Sequence, residues 1–307
     1  MLDVLQLYGI PELQEVGSKY VPNLGGMWEE DFLAKLTPNE RAPANAVTLD
    51  LPLVGAARYP LEFYSNPTTQ RVTLPIASIK FIDDLAVAFA YYDKKGCDVG
   101  AVSDYAAALR FQPQNAKGSP LDALGVPRDA TTDPYVDDVS MKILKSNVYF
   151  VAVHEYAHVM YRHRDYGVIT VLQAQRQEAQ SDAFALEIMG RIGAPPVALT
   201  YFFLIASRLE ASPGDFASLG EYERYLRTRA THPVSAQRIY KVAEGIEAHL
   251  DGFARLQRDP ASAKTKLQDE AQKLRQIAAT LDDRQMRQFL AQRAINADMA
   301  AFRRACR

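Results

Sequence analysis

The chain has 307 residues, 48% of them hydrophobic and 23% charged, so it can bury a sizeable core as one large domain or two smaller ones. A formal net charge of −2 carries no basic footprint, and no nucleic-acid partner is expected. No run approaches the roughly 18 apolar residues of a membrane span. The longest candidate, Val197 to Ala206, is too short and carries Thr200.

Taken in chain order, residues 1–45 read as short helical or loop pieces broken by Pro22, Gly25, Gly26, Pro38 and Pro43, packed on the domain that follows. The first residues have no basic n-region and no long apolar h-region, so they are not a signal peptide as they stand. The expectation is a cytoplasmic protein if the chain is complete, and a periplasmic or secreted one if a leader has been removed. Residues 47–53 partly alternate apolar and polar, which suggests a strand, and residues 71–74 are a second candidate. From Ser78 to Asp93 the period turns helical, with Ile79, Ile82, Leu85, Ala86, Phe89 and Ala90 on one face. A further helix is expected over 101–111. Segment 112–138, rich in Pro, Gly and Asp, reads as a long surface loop, either a lid over a cleft or a passive connection. Helices then dominate, at about 141–163, 170–190, 196–210, 219–229 and 233–250. Residues 253–307 form a C-terminal helical extension, charged and rich in Ala and Gln, with two helices after 260. The domain proper is expected over 46–252. Cys97 and Cys306 are not spaced as a metal pair. Two free thiols and one long-range disulfide both stay open, the disulfide arguing for an exported protein.

The chemistry lies in the middle of the chain. The apolar run Val148 to Val153 leads into His154-Glu155-Tyr156-Ala157-His158, an H-E-x-x-H motif. Residues at i and i+4 share one helix face, so the two imidazoles can grip one zinc ion, and Glu155 can take a proton from a water held there. A third protein ligand is needed. Glu178 and Asp182, again at i and i+4, lie on a second helix ended by Gly190 and Gly193, with Pro195 and Pro196 beyond. Glu178 can complete a His-His-Glu set, and Asp182 can accept the free ring N–H of a ligand histidine and fix its tautomer. A solvated helix position is the plain alternative for Asp182. Glu187, five residues further, points elsewhere.

H-E-x-x-H followed by E-x-x-x-D resembles the gluzincin group of zinc metallopeptidases. Val159 after the motif, His163, the stretch Gly193-Ala194-Pro195-Pro196, and Thr231-His232-Pro233 with Arg238-Ile239 resemble the family of the HtpX heat-shock protease and the CAAX prenyl endopeptidase. The likeness covers roughly residues 145–245. It implies an α+β, mainly helical, zincin-like domain with a small sheet beside the motif helix, whose edge strand binds substrate backbone. It implies zinc on His154, His158 and Glu178, with Glu155 as general base. It also implies that His232 donates to the oxyanion. Arg238 is expected to be a structural cation for a carboxylate near the site, with Asp182 the candidate. The best-known members are membrane-embedded, so this chain would be a soluble relative, and their prenylated-peptide activity is not carried over.

Three other residues have plainer readings. His163 suits a structural role or one behind a metal ligand, and a cation at a helix C-terminus beside Arg162 and Arg164 is the plain alternative. Thr231 can cap a helix opened by Pro233. His249 is expected at the surface. The functional expectation is a zinc-dependent endopeptidase acting on a peptide or unfolded protein. The alternatives are a zinc-binding chaperone or interaction module with little turnover, which an intact Glu155 argues against, and a metal-independent helical protein.

Overall fold

The computed structural model describes residues 2–44, 46–228, 232 and 234–306. Helix α1 (Ile10–Gly26) runs into a wider π-type turn at Met27–Phe32, and the short α2 (Pro38–Ala44) follows. Pieces broken at Pro22 were expected, but α1 passes through that proline. Pro22 lies on the exposed side, and Leu13, Gly17 and Leu24 bury the other face. Burial of that face outweighs one lost backbone N–H.

Three short strands form the sheet: β1 (Thr48–Asp50), β2 (Tyr64–Asn66) and β3 (Arg71–Thr73), in the order β1-β3-β2. β3 pairs parallel to β1 and antiparallel to β2. β1 and β3 fall inside the segments expected to be strands, whereas β2 is a strand that the alternation did not suggest.

Two helices, α3 (Ile76–Lys95) and α4 (Gly100–Phe111), match the apolar periodicity. Segment 112–138 is not one long loop. It contains α5 (Pro120–Ala123), two 3-10 turns and the start of α6 (Pro134–Met160). Its Leu124, Val126 and Ala130 belong to the core. Helix α6 begins earlier than expected because Asp133 caps it, accepting from the backbone N–H groups of Tyr135 (2.9 Å) and Val136 (3.3 Å), with Pro134 at N1.

α6 is the central helix, packed against α3, the sheet and α7 (Val171–Ile192). Nearly every residue of its second half, from Val148 to Val159, is buried. α7 opens with a capping box between Thr170 and Gln173. It ends at Gly193, whose φ of 78° is the left-handed conformation that suits glycine. Then come α8 (Leu199–Leu209), α9 (Leu219–Thr228) and α10 (Ala236–Ala248). Ser235 caps α10. The cap expected at Thr231 and Pro233 lies outside the described residues. α10 lies close on α7: a Cβ at Gly245 would stand 2.7 Å from Leu186 Cδ1.

The C-terminal residues form α11 (Leu250–Ala254), α12 (Pro260–Asp282), α13 (Arg284–Ile295) and α14 (Met299–Phe302). One apolar core runs from Leu2 to Phe302 and takes in residues of all three segments, 1–45, 46–252 and 253–307. Cys97 and Cys306 form a disulfide that ties the end of α3 to the C-terminal tail. Among the described residues no helix is long and apolar enough to cross a membrane.

One buried acid couples the C-terminal helices to the rest. Glu270 on α12 is 5% exposed and accepts from the Thr200 backbone N–H at the start of α8 (2.7 Å). Burial pushes its pKa from an ordinary 4.5 up to about 7, against the pull of Thr200 and Lys273. The folded state therefore holds this proton more tightly than the unfolded chain. The stabilisation is fully present below pH 4.5 and is lost as the pH rises through about 7. Glu270→Gln keeps the acceptor and removes the titration. Denaturant melts should show the variant gaining on wild type between pH 4.5 and pH 8, by on the order of 1–3 kcal/mol. Parallel pH profiles for the two proteins would contradict the assignment.

Candidate metal centre

Three helices bring the residues singled out in the sequence to one place. His154 and His158 sit one turn apart on the buried face of α6, Glu178 and Asp182 face them from α7, and Arg238 comes from the first turn of α10. All six of His154, Glu155, His158, Glu178, Asp182 and Arg238 are buried. One ligand atom each from His154, His158, Glu178 and His232 falls within a 4.8 Å cluster, a group that could hold a metal ion.

The hydrogen bonds around the cluster decide which ring atoms face inward. His154 donates from Nδ1 to Asp182 Oδ1 at 2.8 Å. Nδ1 of His158 lies 2.8 Å from Nδ1 of His163, whose Nε2 lies 3.1 Å from Gln180 Oε1. The amide oxygen can only accept, so the consistent relay runs from His158 through His163 to Gln180. Both α6 histidines then carry their protons on Nδ1, and both Nε2 atoms present lone pairs. Those two Nε2 atoms are only 3.0 Å apart. Two facing lone pairs at that distance repel unless a cation lies between them.

The spacing of the other atoms agrees. Glu178 oxygens lie 3.6 Å from His154 Nε2 and 3.3 Å from His158 Nε2. His232 Nδ1 lies 3.4 Å from His154 Nε2 and 3.2 Å from Glu178 Oε2. Ligand atoms around a tetrahedral ion at about 2.0–2.1 Å stand about 3.3–3.4 Å from one another. His154, His158 and Glu178 are therefore spaced so that they could share one metal ion.

Arg238 fixes the carboxylates. It donates from Nε to Asp182 Oδ2 (2.7 Å) and from Nη2 to Asp182 Oδ1 (2.9 Å), and its Nη1 lies 2.6 Å from Glu178 Oε2. Burial alone would raise the pKa of both acids. Arg238 outweighs it and holds both below the carboxylate range, helped by His154 at Asp182 and by His232 and His158 at Glu178. Burial lowers the pKa of His154 and, with His158 beside it, takes that of His163 down to about 4.

His232 sits differently from an oxyanion donor standing apart from the metal ligands. Its Nδ1 joins the cluster, while its Nε2 lies 2.9 Å from Glu155 Oε1 and 3.1 Å from the Phe63 carbonyl oxygen. Burial would lower its pKa, but Glu155 and Glu178 raise it well above the ordinary value. In turn, burial would raise the pKa of Glu155, and His232, His154 and His158 bring it down to about 2. Oε2 of Glu155 is buried with no hydrogen-bond partner among the described residues.

Beside Glu155 and His232 opens a narrow cleft, walled chiefly by Leu61, Phe63, Phe150, Phe202, Phe203 and Val234. None of its lining residues comes from 112–138, so that segment does not cover this cleft. The cleft and the Phe63 carbonyl were not foreseen. Their residues come from separated elements, and only a contact across the fold unites them. His249 is exposed, as expected, and Glu187 pairs with Arg191 away from the cluster. Comparisons with protein-family models, curated proteins and solved structures return no match for this chain.

Asp182 touches no cluster atom except through the groups it orients. Asp182→Asn should therefore weaken divalent-metal affinity about 10–100-fold, as measured by competition with a chelating dye. Unchanged affinity would mean that His154 holds its tautomer without it.

Proposed function

We propose that this chain is a zinc-dependent endopeptidase with a zincin-like domain, a soluble relative of the HtpX and CAAX prenyl endopeptidase family. The observation that carries the reading is the convergence of His154 Nε2, His158 Nε2 and a Glu178 oxygen beside the buried, unpartnered Oε2 of Glu155. A purely structural metal site has no need of a carboxylate there. Zinc bound to this set would supply Lewis acidity, acidifying water and polarising a carbonyl.

The chain's own residues do the rest. Asp182 and His163 hold the two histidines with Nε2 inward. Arg238 keeps Glu178 and Asp182 ionised. Glu155 takes a proton from the attacking water and passes it to the leaving amine. His232, with its ring at Glu155 and the cluster, is the donor to the oxyanion. β2 is an edge strand that packs on α6, and Phe63, the residue before it, has its carbonyl oxygen at His232. It is the strand that would pair with substrate backbone.

A second reading, a zinc-binding module with little turnover, rests on one observation. With His232 Nδ1 in the cluster, four protein atoms surround one point, and closed four-ligand sites are the structural kind. Peptide hydrolysis requires the His232 ring to yield that corner to substrate.

The zinc-loaded chain should cleave casein, and Glu155→Gln should abolish cleavage while retaining zinc. Zinc bound with no cleavage by wild type would favour the second reading, and loss of zinc in the variant would remove Glu155 from the role of base. The walls of the cleft also set a preference. Peptides with Leu, Met or Phe next to the scissile bond should be cleaved about 10–100-fold better by kcat/KM than those with Gly or Asp, since burying such a side chain contributes about 1.5–3 kcal/mol. A flat profile would mean that the cleft is not a substrate subsite.

A further inference from the structure

Between β1 and β2 the chain runs from residue 51 to residue 63 without forming helix or strand. Backbone N–H groups in such a stretch need acceptors from elsewhere. Glu62 supplies two of them. Its side chain turns back into its own loop, where Oε1 accepts from the Ala57 N–H (2.7 Å) and Oε2 from the Tyr59 N–H (3.3 Å). The residue is only 3% exposed, and charge-assisted bonds to backbone N–H groups offset the cost of burying a carboxylate. Gly55 closes the loop around it: a Cβ there would stand 2.2 Å from Glu62 Oε2. Arg58, between the two donors, is held in the left-handed region (φ 54°), a strained conformation for a non-glycine residue that persists where its surroundings fix it.

The loop is tied to the body of the fold at several points. The Arg58 carbonyl accepts from the Val4 N–H (2.7 Å), the Tyr59 hydroxyl donates to the Leu209 carbonyl at the end of α8 (3.0 Å), and Ser78 in the first turn of α3 donates to the Glu62 carbonyl (3.3 Å). The residues that follow face the metal centre. Leu61 and Phe63, on either side of Glu62, wall the cleft. The Phe63 carbonyl oxygen lies 3.1 Å from His232 Nε2, and edge strand β2 starts at the next residue, Tyr64. Glu62 does not line the cleft itself. It anchors the two neighbours that do.

We propose that Glu62 is a positioning residue of the substrate site. Its carboxylate sets the path of residues 55–63, and through them the place of the cleft wall, the Phe63 carbonyl and edge strand β2 against the metal centre. The role rests on the endopeptidase reading above, in which β2 pairs with substrate backbone. It acts on substrate binding, not on the metal or on the proton transfers of Glu155.

Two variants of the full, zinc-loaded chain break the same contact from opposite sides. Glu62→Gln keeps the side chain's shape but turns an N–H donor toward one of the two backbone donors. Gly55→Ala keeps the charge and pushes the carboxylate away. In hydrogen-exchange mass spectrometry, amides of residues 57–63 should exchange about tenfold faster in both variants, with those of 148–159 unchanged. With casein, KM should rise about tenfold while kcat and zinc affinity stay within about twofold, whereas a mere loss of folded protein would lower kcat at unchanged KM. If Glu62→Gln does not fold, Gly55→Ala decides alone. Cleavage by wild type with KM unchanged in the variants, or unchanged exchange at 57–63, overturns the role and leaves the endopeptidase reading standing. No cleavage by wild type removes that reading and the role with it.

Discussion

Charge balance in a water-poor interior governs the centre of this fold. Glu155, Glu178 and Asp182 are buried within a few ångströms of one another's partners, and the pKa of each is lowered, so all three are ionised at neutral pH. The buried cation facing them permanently is Arg238, whose guanidinium spans both α7 carboxylates. One arginine against three carboxylates leaves an excess of two negative charges, which in a low-dielectric interior costs several kcal/mol per charge. Protonated His232 offsets part of it, which is why its pKa is driven upward. A divalent cation seated between the two Nε2 lone pairs offsets all of it and leaves His232 neutral.

The packing of the helices serves that balance. α6 is held on three sides by α3, α7 and the sheet, so the register of its histidines against Glu178 and Asp182 is fixed by core contacts far larger than the site. α10 carries Arg238 and is backed by α12, and α12 also packs on α8, whose Phe202 and Phe203 wall the cleft. The C-terminal helices thereby support the centre from behind, and the disulfide between Cys97 and Cys306 pins the tail that follows them. A bond closing 209 residues of chain restricts the unfolded state strongly, and such bonds persist in oxidising surroundings.

Much of the centre was legible because its signals are local. Two i, i+4 pairs place four side chains on two helix faces, the capping box of Thr170 and Gln173 starts α7, and Gly193 ends it. The pairing of Arg238 with Asp182 was also anticipated, but its second contact, to Glu178, depends on the height of α10 against α7 and leaves no mark in the sequence. Segment 112–138 has loop-like composition, yet Leu124 and Val126 reach the core, and the Asp133-Pro134 start signal for α6 was hidden among similar residues. α1 passes Pro22 because tertiary burial overrides local propensity. β2 is three residues long, too short for alternation to register. The resemblance put His232 at the site as an oxyanion donor, but the entry of its ring into the ligand cluster depends on a contact across 54 residues from Glu178 and could not be read.

The most direct measurement of the central claim is the metal content and X-ray absorption spectrum of the chain after equilibration with excess zinc and removal of the free ion. One zinc per chain with a shell of nitrogen and oxygen alone, at about 2.0–2.1 Å, is the expected result. A chain that retains no zinc, while its histidines and carboxylates stay folded together, would contradict it.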